Sequence, residues 1–212
     1  MQNQSIIKAI VFDWDGVIVD SMPMIARGIQ ETAKSYGVHL SVDDVLATYM
    51  QPRHTFYENL GIKIEDFDEL NARHATNILK HFSEPKLFGD VLPALAQLNT
   101  KGVRMGVASN DTGPRIPREV KMFGLETFFP EDNIISSRKR KPEKLADMMA
   151  RFGVKSAELL FVGDLPSDVT AARKVGALSA AISRHESGKA RLKALNPDYL
   201  LDSLTDLLKI AG

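Results

Sequence analysis

Two aspartates one residue apart, in Asp13-Trp14-Asp15-Gly16, stand directly after a run of apolar residues. Ser109-Asn110-Asp111 follows a second such run, and Gly163-Asp164 a third, with Asp168 four residues further on. Carboxylates serve as nucleophiles, proton carriers and ligands of hard cations. Taken singly, each group has a plain explanation. An Asp-x-Asp after a strand commonly makes a loop or a helix cap. Asp20-Ser21 ahead of Pro23 has the makings of a helix start, and Asp168 in a first helical turn could simply complement the dipole. The conjunction is more specific, because every group follows an apolar run of strand length.

Those runs are the elements that must position the chemistry. Residues 6–12, 103–108, 159–162 and 178–182 have the length and composition of buried parallel strands, with weaker candidates at 133–136 and 199–201. Helical patterns lie between them. Apolar residues fall at 91, 92, 95 and 98 before Gly102, and stretches 144–152 and 169–175 end at Gly153 and Gly176. This alternation predicts an α/β domain around a parallel, Rossmann-like sheet. Residues 22–85 break the rhythm: Ile25, Ile29, Thr32, Ala33 and Tyr36 keep helical spacing, Gly37, Pro52 and Gly61 punctuate it, and 67–82 makes the longest helix. The expected organisation is a core of residues 1–20 and 86–212 with an all-helical cap inserted at 21–85.

In open α/β sheets, ligands bind beyond the carboxyl ends of the strands. Asp13, Asp15, Asp164 and Asp168 would converge there, and like charges that close need a cation among them. A hard divalent ion with oxygen ligands meets that need, and Mg²⁺ suits few carboxylates plus a phosphate.

The residues also carry a family resemblance. Phe12-Asp13-Trp14-Asp15-Gly16-Val17-Ile18-Val19-Asp20-Ser21 resembles the first signature of the haloacid dehalogenase superfamily of phosphatases. Ser109-Asn110 resembles its second motif, Lys141-Pro142 its third, and Gly163-Asp164-Leu165-Pro166-Ser167-Asp168 its fourth. The likeness extends over nearly the whole chain. It implies that Asp13 is the nucleophile and Asp15 the acid/base partner. Ser109 and Asn110 would hold the phosphate together with Lys141, and Mg²⁺ would sit on Asp13, the Asp15 carbonyl, Asp164 and Asp168. The third motif departs from the family pattern, since Arg138-Lys139-Arg140-Lys141-Pro142-Glu143-Lys144 is a basic run. Lys141 is preferred because Pro142 follows it, with Lys139 as the alternative. Counting charges around a bound phosphate leaves the site short of one cation, and Arg53, in Met50-Gln51-Pro52-Arg53-His54, is the candidate from the cap.

The implied activity is Mg²⁺-dependent hydrolysis of a small phosphorylated metabolite, of phosphoglycolate or sugar-phosphate type, through an aspartyl-phosphate. Asp15 argues against dehalogenation, since a halide needs no proton, and Ile25 occupies the position where the mutase branch carries histidine. A mutase or phosphotransferase of the same superfamily, or a non-catalytic phosphate-ester-binding module, is the alternative. Lys plus Arg and Asp plus Glu each number 27 in 212 residues, so no net charge favours nucleic acid or an anionic membrane. There is no cysteine, which excludes disulfides and thiolate chemistry. No apolar run reaches the roughly 20 residues of a membrane span, and the first residues do not read as a signal peptide. A cytoplasmic monomer or homodimer is expected. His74 and His81 lie two turns apart without a third ligand and read as surface or packing residues. The basic run, taken alone, would suggest a nuclear-localisation or nucleic-acid patch; in a neutral chain it reads as a loop lending one lysine to the site.

Overall fold

The computed structural model describes residues 7–81, 85–111 and 113–211. Six strands form one parallel sheet in the order β3-β2-β1-β4-β5-β6: β1 (Ala9–Phe12), β2 (Arg104–Ser109), β3 (Ile134–Ser136), β4 (Leu159–Gly163), β5 (Leu178–Ile182) and β6 (Tyr199–Leu201). After β1 come α1 (Met22–Ser35), α2 (Val42–Thr48), α3 (Arg53–Asn59), α4 (Phe67–Lys80) and α5 (Val91–Thr100). The later crossovers carry α6 (Arg115–Met122), α7 (Lys141–Phe152), α8 (Pro166–Lys174) and α9 (Glu186–Ala194), and a 3₁₀ turn at Leu204–Lys209 closes the chain. The doubly wound α/β fold expected from the alternating pattern is therefore present. Among the described residues, no helix is long and apolar enough to cross a membrane.

β1 is central because both its faces are apolar. Ile10 and Phe12 point into one core with Met105, Val107, Leu160 and Val162. Ala9 and Val11 point into the other with Ala108, Leu159 and Phe161, the two-residue period of a strand covered on both sides. Phe12 is level with Val107 on β2 and Val162 on β4, so the loops leaving β1, β2 and β4 emerge along one edge. With this strand order, the chain reverses its direction of travel across the sheet between β1 and β4, where open sheets of this type form their ligand crevice.

The sequence pattern and the structure differ mainly at helix starts. α7 begins at Lys141 and α8 at Pro166, each three residues ahead of the apolar periodicity, because a proline in the first turn lacks only an amide that has no helical partner there. Ile6 and Phe82, included in the expected strand and longest helix, lie outside the described residues.

Helices α1 to α4 share a core of their own, built from Ala26, Ile29, Ala33, Val45, Tyr49, Phe56, Tyr57 and Leu70. α1 and α4 approach so closely that a Cβ on Gly28 would stand 2.5 Å from Ile78 Cγ1 and 2.8 Å from its backbone nitrogen. Gly28→Ala must push the helices apart. It is expected to lose about 1–3 kcal/mol, seen as a lower urea midpoint; an unchanged midpoint would mean that the pair separates freely.

Candidate active site

Asp13 prolongs β1, its amide donating to the Val162 carbonyl at 2.8 Å. Its carboxylate is nearly covered, and Oδ2 accepts from Lys141 Nζ at 2.5 Å. The same ammonium donates to Asp168 Oδ1 at 2.8 Å and stands 5.2 Å from the centre of the Phe161 ring. Asp168, in the first turn of α8, accepts with its other oxygen from the Leu165 amide at 3.0 Å. Asp164 follows β4 directly, and one oxygen from each of Asp13, Asp164 and Asp168 lies within 4.8 Å of the others. Two glycines make the space: a Cβ on Gly16 (φ +73°) would come within 2.3 Å of Asp164 Oδ2, and one on Gly163 within 2.3 Å of Asp168 Cβ.

Burial pushes the Asp13 carboxyl up to about 6, with Lys141 pulling against it and Asp168 and Asp15 adding to it. Asp164 is raised well above its ordinary value by burial and then by Asp168 and Asp13. Burial also opposes the charge on Lys141, yet Asp13 and Asp168 hold its pKa above the usual value. One ammonium is thus committed to Asp13 and Asp168, while Asp13 and the half-buried Asp164 remain short of positive charge. A set of largely buried carboxylate oxygens close enough to share an ion, and too crowded to be charged together without one, fits a hard divalent cation.

Asp15 has a separate environment. Arg115 forks onto it, Nη2 to Oδ2 at 2.6 Å and Nη1 to Oδ1 at 3.1 Å, and the Ser21 hydroxyl donates to Oδ1 at 2.5 Å. Ser21 occupies the position before α1 but makes no side-chain cap bond; its hydroxyl is used by Asp15. Arg115 also bonds Asp111 at 2.7 Å and Glu119 at 3.3 Å, both one helical turn away. Burial works against the guanidinium, but Asp15, Glu119 and Asp111 together keep its pKa raised. Glu119 in turn accepts from Trp14 Nε1 at 2.6 Å, so the residue between the two aspartates is pinned to α6 as well.

Ser109 ends β2 and is buried; its Oγ accepts from the Asp111 amide at 3.1 Å. Lys144, one turn after Lys141 and fully buried, donates to the Ser109 carbonyl at 2.5 Å and to Asn110 Oδ1 at 2.9 Å. Lys139 instead pairs with Asp147 at 2.6 Å on the surface. Arg53 opens α3 and donates to Asn71 Oδ1 at 2.8 Å. A cavity of about 480 Å³ is lined by Asp13, Asp15, Ser109, Lys141, Asp164 and Arg53, among others. Asn110 and Asp168 border it too, so the residues expected to hold the phosphate and the ion line one cavity. The Asp15 carboxylate stands apart from the three-carboxylate cluster, and the expected ligand from that residue was its carbonyl.

A model of the haloacid dehalogenase-like hydrolases matches residues 10–182. The chain belongs to this family. Pyrophosphatase PpaX of Bacillus velezensis is 28% identical over 213 residues, covering 97% of both chains. The phosphoglycolate phosphatase of Synechococcus elongatus is 28% identical over 203, covering 95% of this chain and 96% of its own. A haloacid dehalogenase-like protein from Streptococcus pneumoniae superposes with a TM-score of 0.80 at 21% identity, over 96% of this chain and 97% of the other. This family member is accordingly an enzyme, a phosphatase-type hydrolase.

Sequence reasoning missed Arg115, Glu119 and Lys144. The available signal was spacing: Asp111, Arg115 and Glu119 recur every four residues, and Lys144 lies three after Lys141. His74, read as packing, is buried against the Tyr57 hydroxyl at 3.0 Å but also borders the cavity.

These cations can be tested directly. Arg115→Ala should lower kcat by up to about 100-fold with little change in KM, and Arg115→Lys should fail to restore it, because one ammonium cannot hold both carboxylate oxygens in a fork. Full rescue by lysine would leave the fork without a role. For Lys144, burial and the neighbouring Lys141 charge lower the pKa from 10.5 to about 8. Between those values the unfolded chain holds the proton that the folded chain has released, so this group's contribution to stability rises with pH; below about 8 both states are charged and the slope vanishes. Urea unfolding at pH 8 and pH 10 should show the wild type gaining stability relative to Lys144→Met. Parallel pH profiles for the two proteins would contradict the depressed value.

Proposed function

We propose that the protein is a Mg²⁺-dependent phosphomonoesterase that works through an aspartyl-phosphate on Asp13, acting on a small phosphorylated metabolite of the phosphoglycolate type named for its relatives. The observation that carries this reading is the pair of aspartates on one strand end with different partners, Asp13 on Lys141 at 2.5 Å and Asp15 on Arg115 at 2.6 Å. Two carboxyls in distinct surroundings can divide nucleophilic and proton-transfer work.

In the first step an Asp13 oxygen attacks phosphorus. The bond from phosphorus to the leaving oxygen breaks, and that oxygen takes a proton from Asp15. In the second, Asp15 accepts a proton from water as the water oxygen attacks the same phosphorus, releasing inorganic phosphate and restoring the Asp13 carboxylate. Lys141 screens the charge between Asp13 and Asp168 while this occurs. Ser109 and Asn110 hold phosphoryl oxygens, their loop fixed from below by Lys144. Asp13, Asp164 and Asp168, with the Asp15 carbonyl, would hold Mg²⁺, which supplies charge stabilisation to the phosphoryl group when bound. Residues 21–85 serve as a cap on the core of 1–20 and 86–212; their independent apolar cluster supports this division. From the cap, Arg53 borders the cavity and adds a cation for an anionic substrate.

Purified protein should release phosphate from p-nitrophenyl phosphate with Mg²⁺, stop on addition of EDTA, and lose at least about 1,000-fold in Asp13→Asn. Retention of full activity by the amide variant would refute the nucleophile assignment. Tight binding of phosphate esters without turnover would favour the binding-module reading.

A further inference from the structure

We infer that the substrate's leaving group is amphipathic: the enzyme takes the phosphate ester of a hydroxy acid that carries a hydrocarbon portion larger than the single methylene of glycolate. This deepens the phosphatase reading of the same cavity and rests on it.

The argument comes from the part of the cavity that the phosphoryl chemistry leaves over. The catalytic carboxylates, Ser109 and Lys141 form its polar end. From the helical layer, α1 contributes Met24 and Ile25, and α4 contributes Ala75, Ile78 and Leu79. Positions 75, 78 and 79 share one helical face, so α4 turns a continuous apolar strip toward the cavity. These side chains are not covered by protein: Met24, Ile25 and Ile78 are half-buried, and Leu79 is 67% exposed. The close α1–α4 contact at Gly28 and Ile78 holds the strip in place. A small inorganic or two-carbon ester would leave it against water, whereas a longer chain would cover it.

Arg53 supplies the second half of the argument. It borders the same cavity, and its side-chain partners are neutral: the Asn71 amide, with the Tyr49 hydroxyl beside it. Among the described residues no carboxylate pairs with it, and its Nε is buried without a partner. A guanidinium in that state recognises a carboxylate. A phosphoryl group, a hydrocarbon body and a carboxylate together describe a phosphorylated hydroxy acid. Pyrophosphate lacks the carbon, phosphoglycolate has little of it, and simple alkyl phosphates lack the second anion.

The experiment is a kcat/KM series with Mg²⁺ over pyrophosphate, phosphoglycolate, phospholactate and the 2-phospho derivatives of hydroxybutanoate, hydroxypentanoate and 4-methyl-2-hydroxypentanoate. n-Alkyl phosphates of equal carbon number run beside it. Each added methylene should raise kcat/KM about fourfold until the cavity is filled, the ratio that ~0.8 kcal/mol per buried CH₂ gives. Leu79→Ser, at an exposed position that folding tolerates, should flatten the series. The acids should exceed the matching alkyl phosphates by tenfold or more, and Arg53→Ala should erase that gap. A series that is flat, or that peaks at pyrophosphate or phosphoglycolate, overturns the inference and leaves the phosphatase reading intact. No phosphate release from any member, p-nitrophenyl phosphate included, overturns the reading and the inference together.

Discussion

The structure is organised around a repulsion. Asp13, Asp164 and Asp168 are brought within reach of one ion at the carboxyl edge of the sheet, and Asp13 and Asp168 are almost withdrawn from water. Buried carboxylates that close cannot all be ionised without positive charge among them, and the chain itself places one ammonium, Lys141, in contact with two of them. Several otherwise separate features trace back to this. α7 must start where its first residue reaches Asp13, which Pro142 permits. Gly16 and Gly163 must lack side chains, because the carboxylates occupy the space that a Cβ would need. The positive charge that Asp13 and Asp164 still lack is what a divalent ion would supply.

Asp15 escapes that crowding because α6 provides for it. The difference between the two cations matters: Lys141 acts as a compact charge between two carboxylates, while Arg115 grips both oxygens of a single one. Arg115 is itself held by Asp111 and Glu119, and Glu119 by Trp14. Its orientation is therefore determined before any ligand arrives. The residue linking the two aspartates is locked into the same network, so neither carboxylate can shift without disturbing the other's support.

How much of this could be read in the sequence depended on how local each signal was. The strands were legible because a strand buried on both faces is a short uninterrupted apolar run, and the acidic residues were legible because they follow those runs immediately. The choice between Lys139 and Lys141 turned on one proline, and in the folded chain Lys139 pairs with Asp147 at the surface. Arg115 and Lys144 were passed over because a cation on an amphipathic helix looks solvated. Only the packing of α6 and α7 against the sheet reveals that Arg115 meets a residue 100 positions away and Lys144 one 35 away. Ser21 shows the opposite effect, since a residue with a common local use at a helix start is drawn off by a tertiary partner. Helix starts were misjudged by three residues at α7 and α8 because first-turn residues there face the site and interrupt the apolar period.

In the proposed reading, reaction and recognition fall to different layers of the molecule. The sheet edge supplies carboxylates on strands whose register is fixed by paired neighbours, a rigid base for groups that must be held to fractions of an ångström. The side chains that would meet the rest of the substrate come from α1, α3 and α4, whose own core is distinct from those of the sheet. The contact of Gly28 with Ile78 is where the two requirements touch. It sets the α1–α4 distance, and thereby both the stability of the helical layer and the width of the apolar wall of the cavity. A substitution on that wall can change what fits without altering the charge balance around Asp13, so the proposed specificity can vary on a sheet edge that stays the same.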